Sequence, residues 1–108
     1  VLGAWSDKWV VIATDQLDDP IFADLSTGEF SIYSAVHGEG TWEPYLIADS
    51  LAKFKAIIQR LQTLSIGRTN PIEIERDPIN DENKAQFLSY VSRENPNTEL
   101  FYWETFFL

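Results

Sequence analysis

Cysteine is absent from the 108 residues, which excludes disulfides and thiolate metal sites and suits a cytosolic protein. No apolar run approaches the ~20 residues of a membrane helix. No signal-peptide pattern is present. Histidine occurs once, at His37. No G-x-x-x-x-G-K, G-x-G-x-x-G or G-x-S-x-G occurs, so phosphate loops and a nucleophile elbow are excluded. Bases are scarce at the start: residues 1–49 hold nine acids and one base, Lys8, whereas residues 50–108 hold eight acids and seven bases. The resulting field repels phosphate backbones and anionic lipid and steers basic partners inward. Neither nucleic acid nor membrane is therefore expected as a partner. A plain solubility surface would carry the same charge.

What is present fits one domain. A 44% hydrophobic and 14% aromatic content supports a packed core, and folding at this length buries roughly 60–70% of the chain's surface. Residues 1–108 read as a single α+β domain: a mainly antiparallel meander of about four to six strands packed with flanking helices. Trp9-Val10-Val11-Ile12-Ala13-Thr14 is apolar on both faces, which predicts a central, doubly covered strand. A turn at Asp15–Asp19 leads to a second strand, Pro20–Leu25. A third, Phe30–Val36, places Phe30, Ile32 and Val36 on one face. After the loop His37-Gly38-Glu39-Gly40-Thr41, Trp42–Ile47 predicts an edge strand limited by Pro44.

The period then changes. Leu51, Phe54, Ile57, Ile58, Leu61 and Leu64 share a helical face, with Asp49 as N-cap and Ser65-Ile66-Gly67 as close. Lys53, Lys55 and Arg60 occupy its other faces, solvated or answering the acidic hairpins. Ile72–Glu75 alternates over a short stretch. A second helix is predicted from Asp81, capped by Asn80 or Asp81, to Arg93, with Ala85, Phe87, Leu88 and Val91 buried and Asn95-Pro96 as stop. The aromatic segment Leu100–Leu108 reads as a last strand.

Few residues suggest chemistry. His37 would act as a general base oriented by Asp24 or Glu39. A base without nucleophile or oxyanion site is a weak signal, and a loop histidine that caps backbone groups explains it as well. Asp15, Asp18, Asp19 and Asp24 do not follow the calcium-loop spacing. They read as turn acceptors, or, with Glu39 and Glu43, as an acidic surface for a protein partner. Trp9 and Trp103 sit in apolar strands and are expected in the core. No metal or cofactor is expected.

Several segments in register resemble a known family. They are Trp9-Val10-Val11-Ile12-Ala13 with Asp15, then Asp19-Pro20-Ile21-Phe22-Ala23-Asp24-Leu25. Val36-His37-Gly38-Glu39-Gly40-Thr41-Trp42-Glu43-Pro44 and Ile47-Ala48-Asp49-Ser50-Leu51 with Phe54 follow. Together they are similar to the SUKH superfamily, which includes yeast cell-wall-assembly and killer-toxin-resistance regulators and many bacterial relatives. The resemblance covers residues 9–64. It implies an α+β fold whose N-terminal helical segment lies upstream, and the apolar opening Val1-Leu2-Gly3-Ala4-Trp5 is read as continuing from such residues. The turn Gln16-Leu17-Asp18-Asp19 departs from the glycine-rich turn of relatives, although aspartate tolerates left-handed angles. Trp9, Pro20, His37, Gly38, Trp42, Ser50 and Phe54 are the family-pattern residues, read as structural. The implied role is binding without catalysis: a cytoplasmic immunity protein that neutralises a basic toxin, such as a nuclease, delivered by rival cells. A regulatory scaffold of the cell-wall-assembly type and an enzyme using His37 are the alternatives.

Overall fold

The computed structural model describes residues 4–38, 40–64 and 81–105. Among these residues four strands, β1 (Trp9–Thr14), β2 (Pro20–Asp24), β3 (Ile32–Ser34) and β4 (Tyr45–Ala48), precede three helices, α1 (Leu51–Leu64), α2 (Asp81–Glu94) and α3 (Phe101–Glu104). The strands form one antiparallel sheet in the order β1-β2-β3-β4. The fold is α+β, a meander carrying helices. Glu39, the expected close of the first helix at Ser65-Ile66-Gly67 and the segment Ile72–Glu75 lie outside the described residues.

The alternation of the strands separates two faces. Ile21 and Ala23 of β2 and Ile32 of β3 join Ile47, Phe54, Ile57, Phe87, Val91 and Trp103 in the core beneath the helices. Phe22 points the other way, into a second aromatic cluster. Its ring centroid lies 4.8 Å from those of Trp5 and Trp9 and 6.1 Å from that of Tyr33. Trp42 joins through Trp5 at 5.3 Å. In the main core, Trp103 is 1% exposed and its indole Nε1 donates to the Ile47 carbonyl at 2.7 Å. That bond satisfies the polar edge of the largest buried side chain.

Helix α1 forms where the period becomes helical, and Ser50, not Asp49, caps it. The Ser50 hydroxyl accepts from Lys53 N at 3.1 Å. Asp49 accepts instead from the Thr98 hydroxyl at 3.0 Å and the Asn97 side chain at 3.3 Å. The buried Asn95 that ends α2 takes the Asp49 N–H at 2.9 Å. The loop after α2 is thereby fastened to the start of α1. On the basic face of α1, Lys53 donates to the Glu94 carbonyl and Arg60 lies 4.5 Å from the Tyr90 ring. These bases answer α2 rather than the acidic hairpins.

Four further expectations are corrected. Among the described residues β1 is an edge strand, and Val10, Val11 and Ile12 are 42–49% exposed; the core beneath the helices draws on β2, β3 and β4. β3 is only three residues long: Phe30 takes a positive φ of 58° in the preceding turn, and Phe30 and Val36 are exposed. In α2, Phe87 and Val91 are buried, whereas Ala85 is exposed and Leu88 half-buried. The segment after Leu100 turns into α3 instead of a strand. Tyr102 and Trp103, adjacent and both buried, sit on neighbouring helical positions that reach the core together.

Candidate functional site

The meander brings the β1–β2 turn and the β3–β4 loop to the same end of the sheet. Asp15 organises the turn. Its Oδ1 accepts from Leu17 N at 2.9 Å and Asp19 N at 3.1 Å, and its Oδ2 accepts from the Tyr102 hydroxyl at 3.2 Å. Asp18 stands at the tip with φ 62°, a left-handed angle that aspartate tolerates better than most residues. It is exposed, as is the neighbouring Leu17 at 69%.

Asp19 turns inward and is buried. Its Oδ1 accepts from the backbone N of His37 at 3.1 Å and lies 2.6 Å from His37 Nδ1. Asp19 is thus the partner of His37, where Asp24 or Glu39 was expected. Asp24 cannot reach, because it ends β2 at the far end of the sheet. There its Oδ1 accepts from Ser26 N at 2.9 Å and the Ser26 hydroxyl at 2.6 Å. Glu43 is exposed on the β3–β4 connection and, with Val36, Thr41 and Tyr45, lines a cavity of about 330 Å³.

Of the acids singled out, the structure gathers Asp15 and Asp19 into one hydrogen-bonded cluster and leaves Asp18 and Glu43 facing solvent. His37 joins the cluster through Asp19 and Tyr102 through Asp15. Burial, with Asp15 beside it, pushes the Tyr102 hydroxyl far above the ordinary tyrosine range, so it remains a proton donor to Asp15. Burial also raises Tyr45, which lies near Asp19 and Asp15. Tyr33, on the other face, is raised by burial and then by Asp24. A carboxylate held against Nδ1 selects the tautomer that leaves Nε2 as acceptor. The His37 side chain is 53% exposed. Tyr45 and Tyr102 were missed in the sequence. Their signal was a hydroxyl embedded in otherwise apolar segments.

The residues read from the sequence as structural support this end of the sheet or its frame. Pro20 is buried and its carbonyl accepts from the Ser34 hydroxyl at 2.9 Å. Gly38 and Gly40 take φ of 79° and 82°, angles that strain other residues. Trp9 and Trp42 pack in the second aromatic cluster. Ser50 caps α1 and Phe54 enters the core. Among the described residues no group of three or more His, Asp or Glu could hold a metal ion, and no helix is long and apolar enough to cross a membrane. The chain matches no family model, no curated protein and no solved structure.

Proposed function

We propose that the chain is a non-enzymatic binding protein of the immunity type, whose acidic sheet half engages a basic toxin domain such as a nuclease. The observation behind this reading is a sheet half rich in acids and almost without bases. The turns of the sheet carry Asp7, Asp18, Asp24, Glu29 and Glu43, whereas every described base except Lys8 lies on α1 or α2. A surface of one sign steers an oppositely charged partner and suppresses wrong ones. The similarity of residues 9–64 to the SUKH superfamily, in which bacterial members resemble immunity proteins, points the same way.

The test is an affinity pull-down from lysate of the source organism at low and high salt. A single basic, toxic partner released by salt, and neutralised by this protein in a cell-killing assay, supports the reading. Several partners without toxicity favour a regulatory scaffold of the cell-wall-assembly type.

A second reading rests on the Asp19–His37 contact. Here His37 is a general base for a substrate seated against the β3–β4 loop. It requires that His37→Gln abolish a turnover measurable on the wild-type protein without lowering its melting temperature.

A further inference from the structure

We infer that the apolar groove between β1 and α1 is a strand-addition site for an extended, basic segment of a protein partner. This rests on the reading of the acidic sheet half as a partner-binding surface, and names the place where a chain would dock.

Three observations converge. The first is the open edge of β1. Leu25 N donates to the Lys8 carbonyl and Asp15 N to the Asp19 carbonyl, so these two residues turn their backbone groups toward β2. The register with β2 shifts between Val11 and Ala13, and with that one-residue step alternation from both ends leaves Val11 with its N–H and carbonyl turned away from β2; no described strand pairs with that edge. The six residues from Trp9 to Thr14 contain no charge, proline or glycine; of the devices by which natural edges resist pairing they carry a register irregularity between Val11 and Ala13, which an added strand has to follow.

The second observation is the groove beside this edge. A cavity of about 450 Å³ is walled by Ala13 and Thr14 of β1, Ile21 of β2, and Phe54 and Ile58 of α1. An added strand would send alternate side chains into it, while its main chain bonds to β1. Main-chain pairing supplies affinity, and the groove selects small apolar side chains at every second position.

The third is charge. Asp15 forms the end wall of the groove, and the exposed Asp18 stands in the same turn. A segment running antiparallel to β1 places its N-terminal residues there, which favours lysine or arginine at that end. A second copy is the poorer occupant, because each molecule carries a net charge of −9 and would repel its twin.

The probe is a short synthetic peptide that begins with two lysines and then alternates valine with threonine. It is titrated into the ¹⁵N-labelled protein, with hydrogen exchange followed at Val11. The expected result is shifts confined to residues 10–15, 54 and 58, with the Val11 amide becoming protected. Asp18→Asn, which keeps a residue tolerant of its left-handed angle, should weaken binding about threefold at low salt. Ala13→Tyr, at an exposed strand position, fills the groove and should weaken it about tenfold. A thermal melt checks that each variant folds.

Four results overturn the inference: shifts absent from β1 and α1; a peptide beginning with two glutamates binding equally well; Val11 already protected in the free protein at every concentration, which means the chain covers its own edge; and Val11 protection that grows with protein concentration alongside a doubled mass, which means a second copy. The two readings fail separately. A basic partner captured from lysate but mapped away from β1 removes the groove and leaves the acidic surface. Peptide binding without any salt-released partner does the reverse.

Discussion

At the scale of single residues, position in the turn decides more than residue type. Asp18 and Asp19 are neighbours of the same chemistry, yet one faces solvent and the other is buried against His37. Phe30 shows the opposite economy. It is 41% exposed and holds φ at 58°, a conformation costing a residue with a Cβ roughly 1–2 kcal/mol. Phe30→Asn should therefore stabilise the fold by about 0.5–1 kcal/mol in urea denaturation, since asparagine visits that region far more readily. Tyr102 makes the pH dependence calculable. Its folded value is raised, so the native state keeps a proton that the unfolded chain loses above its ordinary value of 10.0. Stability is full below that pH and falls as pH rises beyond it, by about 1.4 kcal/mol per unit for one such group. Tyr102→Phe should flatten the alkaline limb of a stability–pH curve; an unchanged slope would assign the limb to other groups.

At the scale of elements, the helices take their places through caps and fasteners as much as through apolar stripes. The exchange of roles between Asp49 and Ser50 is instructive, because either residue type suits an N-cap. Asp49 is drawn off by Thr98 and Asn97, and the serine is left to take the Lys53 N–H. Ser50→Ala should cost about 1 kcal/mol and Asp49→Ala a comparable amount through a different route, the loosening of the 95–98 loop. Hydrogen exchange separates them: the first exposes amides of the first turn of α1, the second those of residues 95–98. β1 illustrates the limit of pattern reading. A strand apolar on both faces predicts cover on both faces, but here the same pattern lies at the edge of the described sheet, with Val10, Val11 and Ile12 exposed.

At the scale of the whole molecule, the turns of the sheet hold acids and a single described base, Lys8, whereas the five bases of α1 and α2 stand beside Asp81, Glu82 and Glu94. Testing an electrostatic surface requires acids that face solvent. Reversing Asp19 would strip His37 of its buried acceptor, a loss of roughly 2–4 kcal/mol, and would confuse unfolding with lost affinity. Asp18→Asn combined with Glu43→Lys alters only exposed groups. The pair should leave the melting temperature within a few degrees, slow association with a basic partner, and reduce the salt dependence of that rate. Stopped-flow association at several salt concentrations reads this directly. A rate unchanged across salt would sink the acidic-surface mechanism.

The α+β class, the meander, the span of α1 and the near-span of α2 were all legible in the residues. They depend on local quantities: the period of apolar positions, turn chemistry at Asp15–Asp19 and Ser26–Glu29, and the proline after Asn95. The glycine angles at Gly38 and Gly40 belong to the same class. Tertiary structure alone decided that β1 lies at the edge, that Phe101–Glu104 is helical, and that His37 meets Asp19 rather than Asp24. Each depends on which distant segment packs against a given surface. Cover for a strand comes from helices far along the chain. Tyr102 and Trp103 both reach the core only because a helical turn points them there. His37 finds the acid that strand pairing carries to its end of the sheet, 18 residues earlier in sequence. Periodicity records which faces are apolar, and only packing records what stands opposite them.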